Sequence, residues 1–178
     1  MRRLTLYLLG AFEATLDGKP LTGFRTDKAR TLLIYLAVER SRAHRREHLA
    51  TLFCPDWPDA SARAYLRNAL SNLRHAIGDD AASPPFLIVT QDTLQFNRDA
   101  DYFLDTAEIE RVASNRNATI DQLQSVIERY RGPYLEGFTL KDCPAFDDWS
   151  YAVKEQLQVQ VSTALNRLAE LYEQAKEY

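Results

Sequence analysis

The chain has 178 residues, 46% of them hydrophobic and 26% charged, which is ordinary for a globular protein. Its 6 glycines and 7 prolines exclude a collagenous or low-complexity chain, the 11% aromatic residues argue against disorder, and no apolar run is long enough to cross a membrane. The net charge of −3 divides into +6 over residues 1–77 and −9 over residues 78–178, which indicates a basic module for nucleic acid and an acidic module for protein contacts.

Short strands are predicted over residues 2–22. Leu4, Leu6 and Leu8 recur at every second position, and the dipeptide Asp17-Gly18 is typical of a hairpin turn. The arginines before this apolar run weakly resemble a signal peptide, but no small-residue cleavage site follows. We therefore interpret the beginning of the chain as a strand.

Three helices follow in the basic half. The first is predicted over residues 27–40 with Thr26 or Asp27 as its cap, and the second over residues 45–53 with His44 as its N-cap. The third is predicted over residues 60–77, capped by Asp59 and ended by Gly78. Its apolar residues fall on one stripe, which predicts the core-facing side: Ala62, Leu66, Ala69, Leu70, Leu73 and Ile77.

A β-hairpin is predicted next, with strands over residues 86–90 and 93–96 around Gln91-Asp92. Beyond it the pattern is helical only, over residues 101–117, 119–130 and 144–178. The sequence thus predicts a domain over residues 1–97 and a helical domain over residues 98–178. The last helical pattern runs to the end of the chain, so we expect a fragment of a longer regulator.

The outer face of the third helix is the candidate functional surface. Between Ala60 and Gly78 it carries no Asp or Glu, and it offers the guanidinium, amide and hydroxyl groups that bind phosphates and base edges. A third helix followed by a hairpin is the layout in which the helix enters the major groove and the hairpin touches the backbone. The predicted DNA-binding residues are Arg63, Arg67, Asn68, Ser71, Asn72, Arg74 and His75 on the helix and Gln91 and Thr93 on the hairpin.

Two alternatives to DNA binding stay open for this surface. In one the face is simply solvated, and in the other the chain is a protein-interaction module, with the domain of three helices and a hairpin as the docking domain and the later helices as a scaffold. An apolar outer face would favour docking, whereas the observed face is basic and polar. A ligand-sensing role ranks last, because no convergent polar cluster lies in the acidic half.

No enzyme or cofactor motif is present, so neither catalysis nor a cofactor is expected. His44 and His48 are four residues apart, but no further ligand completes a metal site. Arg45 and Arg46 lie alongside, so a phosphate-facing or solvated position is expected instead. We expect Phe146 and Trp149 to pack between helices, and the aromatic residues of the segment 130–134 to pack around a turn set by its Gly and Pro. Cys54 and Cys143 lack zinc-motif spacing and are expected to be reduced and buried in a cytoplasmic protein.

Taken together, the motifs resemble those of SARP-type bacterial transcriptional activators. In the first half these are Leu8-Leu9-Gly10-x-Phe12-Glu13, the run from Lys28 to Ala37, Glu47-x-Leu49-Ala50, and the run from Ala62 to Arg74. In the second half they are the run from Tyr130 to Gly137 and Phe146-x-x-Trp149. The resemblance covers nearly the whole chain, although His44 and Cys54 stand where the family usually has Ser or Thr and often Trp.

The resemblance implies an α+β winged helix-turn-helix of the OmpR type, with an initial four-stranded sheet, three helices and a wing. An all-α, TPR-like bacterial transcriptional activation domain follows. It implies a homodimer on direct repeats of double-stranded promoter DNA. It also implies contact with RNA polymerase through the loop between the second and third helices, here Phe53, Asp56, Trp57 and Asp59.

Overall fold

A computed structural model describes residues 2–176 and shows an α+β protein with two compact units. The first unit takes the chain up to Leu6, Glu13–Phe103 and Thr139–Trp149, and the second takes Tyr7–Phe12, Leu104–Phe138 and the chain from Ser150 onward. The units are therefore assembled from interleaved segments rather than from two consecutive halves. The functional division at residues 97 and 98 stays a prediction.

The first sheet has four strands, in the order β3-β2-β1-β7. They are β1 (Leu4–Tyr7), β2 (Glu13–Leu16), β3 (Lys19–Pro20) and β7 (Tyr102–Leu104). The predicted turn between β2 and β3 is confirmed, since the strands pair antiparallel and both turn residues have positive φ, 52° at Asp17 and 76° at Gly18. Strand β7 was predicted as the start of a helix, but its residues Tyr, Phe and Leu favour a strand, and the helix begins only at Asp105.

Three helices follow β3 in the chain, and α3 packs against both of the others: α1 (Asp27–Val38), α2 (Arg46–Phe53) and α3 (Asp59–Ala76). The Thr26 cap of α1 is confirmed, because its side chain accepts from the backbone N–H of Ala29. The caps predicted for the other two helices are wrong, since the N-caps are Arg45 and Pro58 and neither makes a side-chain capping bond. His44 instead lies in a short strand, where it is buried with Nε2 3.0 Å from the carbonyl oxygen of Glu39.

The second sheet has three strands, β4 (His44–Arg45), β6 (Thr93–Phe96) and β5 (Leu87–Val89), in that order. The predicted hairpin is confirmed, with β5 and β6 antiparallel and Leu87 opposite Phe96. Strand β4, which the sequence did not predict, pairs His44 with Leu94. Because β4 directly precedes α2, this pairing fixes the hairpin next to the start of that helix.

In the second unit, α4 (Asp105–Ser114) packs on α5 (Ile120–Glu128). Thr119 and Gln122 form a capping box at the start of α5. The helix α6 extends over Pro144–Lys176 and belongs to the second unit from Ser150 onward. The turn at residues 130–134 has the structural role expected of it, since Tyr134 is buried and bridges Leu9, and the carbonyl oxygen of Pro133 accepts from the N–H of Gly10.

Aromatic packing accounts for the first residues of α6. The Trp149 ring lies 4.8 Å from that of Tyr35 and 5.3 Å from that of Phe146, and its Nε1 donates to Glu39 at 2.9 Å. This confirms the packing role predicted for Phe146 and Trp149. Cys54 and Cys143 are both free and buried, as predicted. Within residues 2–176 no helix combines the length and the apolar character needed to cross a membrane.

Candidate nucleic-acid interface

Helix α3 presents its outer face because its opposite side is held in the core. All six residues of the predicted apolar stripe are buried, from Ala62 to Ile77. The helical repeat then turns the polar residues outward. Arg63, Arg67, Asn68, Ser71 and His75 are exposed, and Ala64 between them is half-buried. The structure therefore brings five of the seven predicted helix residues together on one exposed surface.

One flank of α3 forms a cleft with the start of α2 and the hairpin. The cleft has a volume of about 540 Å³ and is lined by Arg45, Arg46, Glu47, Arg63, Leu66, Arg67, Gln91 and Asp92. Arg46 fixes the hairpin tip, since its backbone N–H donates to the Asp92 carbonyl at 2.9 Å and its Nη2 to the Thr90 carbonyl at 2.7 Å. Arg45 and Arg67 form no ion pair within residues 2–176, so their charges are available to an anion.

The opposite flank of α3 forms a second cleft, of about 610 Å³, with the segment 23–26 before α1. Its lining residues are Arg25, Thr26, Tyr65, Asn68, Ala69, Ser71, Asn72 and His75. Asn72, a predicted base-contacting residue, makes two hydrogen bonds within this unit: its Oδ1 accepts from the N–H of Arg25 at 2.9 Å and its Nδ2 donates to the Gly23 carbonyl at 3.2 Å. Asn72 thus connects the segment to α3 and is only half-exposed.

Arg74, predicted to contact phosphate, is held by two carboxylates instead. Its Nε donates to Oδ2 of Asp79 at 3.0 Å and its Nη2 to Asp80. Asp79 is 1% exposed and also accepts from the N–H of Leu87, which ties the end of α3 to β5. Two neighbouring carboxylates neutralise the guanidinium, so it is less available to a phosphate than Arg67 is.

Arg74→Ala is expected to lower the free energy of unfolding by about 1–2 kcal/mol, because the nearly buried Asp79 carboxylate loses a charged hydrogen-bond partner. Urea unfolding of the variant and of Arg98→Ala, an exposed arginine that ends no such network, measures the difference. Equal stability of the two variants would show that the Asp79 pair is not a structural tie.

The two predicted hairpin residues, Gln91 and Thr93, differ in whether their side chains are already hydrogen-bonded within the hairpin. Gln91 is exposed at the tip, where it lines the hairpin cleft. The Thr93 hydroxyl lies 2.8 Å from that of Thr90, and the backbone N–H of Thr93 donates to the same Thr90 hydroxyl at 2.9 Å. Thr93 therefore shapes the turn, while Gln91 is free to reach outward.

The loop between α2 and α3 exposes three of its four predicted contact residues. Asp56, Trp57 and Asp59 are exposed, Trp57 to 47%. Phe53 is 3% exposed because its ring packs against those of Tyr35 and Phe146, so its prediction as a surface contact is wrong.

A cation between two rings fixes this loop. The Nζ of Lys28 lies 4.1 Å from the centre of the Tyr65 ring and 5.0 Å from that of Trp57, and the two rings meet edge to face at 5.3 Å. Burial raises the pKa of the Tyr65 hydroxyl, although the charge of Lys28 opposes the shift. The exposed Trp57 is thereby held in a fixed position.

Sequence reasoning missed Arg25 as a site residue, and for the stretch with Arg45 and Arg46 it left two positions open, phosphate-facing or solvated. Arg25 lies 47 residues from Asn72 in the chain, and no local pattern relates the two. Arg45 and Arg46 adjoin the unpredicted strand β4, which carries them to the hairpin. The available signal was the local density of arginines outside the third helix.

Comparison with known proteins places the chain beside bacterial transcriptional regulatory proteins. The curated relatives are the transcriptional regulatory protein EmbR of Mycobacterium bovis (strain ATCC BAA-935 / AF2122/97) and of Mycobacterium tuberculosis (strains CDC 1551 / Oshkosh and ATCC 25618 / H37Rv), each 29% identical over 165 residues. The match covers 86% of this chain but 41% of each relative, so the chain spans about two fifths of their length. No family model matches the chain.

A solved structure agrees with these relatives. Mycobacterium tuberculosis EmbR in complex with a low-affinity phosphopeptide superposes with a TM-score of 0.65 and 26% sequence identity, over 90% of this chain and 44% of that one. The resemblance to SARP-type regulators that the sequence indicated is thereby confirmed. The matched relatives are transcriptional regulatory proteins.

Proposed function

We propose that this chain is the sequence-specific DNA-binding and activating part of a transcriptional activator. In this proposal the three helices and the hairpin form a winged helix-turn-helix, α3 enters the major groove, and the hairpin, as the wing, lies on the DNA backbone. The observation that carries it is the exposed outer face of α3, which has no acidic residue between Ala60 and Ala76 and is flanked by Arg45 and Arg67, neither of which forms an ion pair within residues 2–176. Such a face suits a polyanion and disfavours an apolar docking partner.

Within α3 the proposal gives different roles to the predicted residues. Arg67, Asn68 and Ser71 lie at the centre of the exposed face and are the candidates for contact with base edges. Arg63 is 58% exposed and makes only long ion pairs, 3.9 Å to Glu47 and 4.0 Å to Asp59, so it is free to exchange these for a phosphate. His75 and Gln91 lie at the margins of the face.

The partners follow from the same proposal. The target is double-stranded promoter DNA with direct repeats, bound by a homodimer in the cytoplasm. The second partner is RNA polymerase, which the α2–α3 loop would contact through Asp56, Trp57 and Asp59, since an exposed, fixed aromatic ring beside carboxylates suits a protein surface. The helices from α4 to α6 form the TPR-like activation domain in this scheme.

A salt series tests DNA binding directly. The 178-residue chain is titrated by fluorescence anisotropy against a duplex from the region upstream of its own gene and against a shuffled duplex. With about four phosphate contacts, affinity is expected to fall on the order of 100-fold between about 50 and 200 mM salt. An affinity that is independent of salt, or equal for the two duplexes, would contradict sequence-specific DNA binding.

Arg67→Ala is expected to weaken binding to the specific duplex by about 5- to 150-fold, because a well-placed guanidinium on a base edge contributes about 1–3 kcal/mol. The matched control is Arg116→Ala, which removes one exposed positive charge from the second unit. If the two variants lose affinity equally, net charge and not the α3 face determines binding.

A further inference from the structure

The segment 23–26 is fixed against α3 rather than lying loose beside it. The two hydrogen bonds of Asn72 hold its backbone at Gly23 and Arg25. Phe24 is buried between them, with the guanidinium of Arg30 5.7 Å from the centre of its ring. A Cβ added at Gly23 would lie 3.5 Å from Cα of Ala76, so the segment is in close contact with the end of α3.

This arrangement presents the guanidinium of Arg25 to solvent. The Arg25 side chain is exposed and lines the second cleft together with Asn68, Ser71 and His75. Within residues 2–176 its guanidinium makes no ion pair and no hydrogen bond. Arg25 thus combines a fixed backbone with an unpaired guanidinium, whereas the guanidinium of Arg74 is paired with the carboxylates of Asp79 and Asp80.

Arg25 also lies on the flank that the arginines of the hairpin cleft do not reach. At 100° per residue, Asn72 lies about 180° from Arg63 and about 140° from Arg67 around the axis of α3. The exposed residues Asn68, Ser71 and His75 lie between them. A major groove about 12 Å wide has a phosphate chain on each side, so a helix lying in it presents one flank to each chain.

We propose that Arg25 binds a DNA phosphate on the flank of α3 opposite the hairpin, and that Asn72 is the positioning residue that holds it there. This inference rests on the proposed DNA-binding function. It changes the role of Asn72 from reading a base to orienting a phosphate contact. Arg45 and Arg63 on the hairpin side and Arg25 on the opposite side then hold the two phosphate chains and set the orientation of α3 in the groove.

A double-mutant cycle tests both the phosphate contact of Arg25 and the positioning role of Asn72. The quantity measured is the salt dependence of DNA affinity. Wild type, Arg25→Ala, Asn72→Ala and the double variant are titrated with the specific duplex across a salt series. Arg25→Ala is expected to reduce the slope of log affinity against log salt by about 0.9, the value for one phosphate contact. Asn72→Ala is expected to reduce the slope by a similar amount although it removes no charge, and the double variant to match Arg25→Ala.

The outcomes separate the two roles. If Asn72→Ala lowers affinity with an unchanged slope and its effect adds to that of Arg25→Ala, Asn72 does not position Arg25. If Arg25→Ala keeps the wild-type slope, Arg25 binds no phosphate. Arg25→Lys retains the charge and is expected to restore the slope. Thermal unfolding checks each variant, and Asn72→Ser replaces Asn72→Ala if the latter does not fold.

Failure of this inference is distinguishable from failure of the proposed function. Arg67→Ala is measured in the same series. If neither the wild type nor any variant binds the specific duplex above the shuffled one, the proposed function fails. If wild type binds and Arg67→Ala weakens binding while Arg25→Ala and Asn72→Ala leave affinity and slope unchanged, only the role of Arg25 and Asn72 is overturned.

Discussion

Asp105→Ala is expected to lower the free energy of unfolding by about 3–5 kcal/mol, because it leaves three buried backbone donors without a partner. Asp105 begins α4, and its carboxylate accepts from the N–H groups of Leu8, Leu9 and Thr106, each at 2.8 to 2.9 Å. Both leucines and Asp105 itself are buried. Water cannot replace the lost acceptor without opening the second unit.

Urea unfolding followed by circular dichroism measures this loss. The matched control is Asp121→Ala, since Asp121 also lies in the first turn of a helix but is exposed. A loss no larger than that of the control would show that the segment 7–12 does not depend on the Asp105 carboxylate.

The same carboxylate gives the stability a pH dependence of known sign. Burial raises the pKa of Asp105 above its ordinary value of 3.8, although the three backbone donors oppose the shift. Between 3.8 and the raised pKa the folded chain keeps a proton that the unfolded chain has released, so the Asp105 contribution to stability falls as the pH rises through this interval. The free energy of unfolding, measured by urea titration at a series of acid pH values, should fall through this interval for the wild type. The fall should be absent from Asp105→Ala.

Local patterns were sufficient to predict much of the fold. The apolar stripe of α3 is set by the 3.6-residue repeat, and all its members are buried. The turn at Asp17-Gly18 needs positive φ at both positions, which its two residues tolerate. The hairpin from Leu87 to Phe96 follows from alternating strands around a polar tip. Each of these features is determined by residues close in sequence.

The errors concern partners distant in sequence. Phe53 is buried because it meets Phe146, 93 positions later in the chain, and Asn72 is engaged because Gly23 and Arg25 return to α3. The two-residue strand β4 has no periodicity of its own and exists only through its pairing with β6. For the candidate interface, the sequence therefore predicts which residue types face outward. It does not predict which of these side chains are engaged by hydrogen bonds or packing within the protein.

Phe146→Ala is expected to lower the free energy of unfolding by about 3–5 kcal/mol, the usual cost of removing a buried aromatic ring. The Phe146 side chain is 1% exposed, and its ring lies 6.4 Å from Phe53 and 5.3 Å from Trp149. Tyr35 closes the cluster, 6.0 Å from Phe53 and 4.8 Å from Trp149. A chain ended at residue 97 would lose half of this cluster, together with strand β7.

Tyr151→Ala is the matched control, because Tyr151 lies on the same helix but is 65% exposed and should change stability by less than about 0.5 kcal/mol. Phe146→Ala should also weaken DNA binding at temperatures near the melting temperature of the variant, but not at temperatures well below it. The reason is that the aromatic cluster supports the end of α2 and includes no residue of the α3 face. If Phe146→Ala is as stable as Tyr151→Ala, the four rings do not form the shared core of the first unit. The segment Thr139–Trp149 would then be dispensable for the folding of the helices that carry the candidate interface.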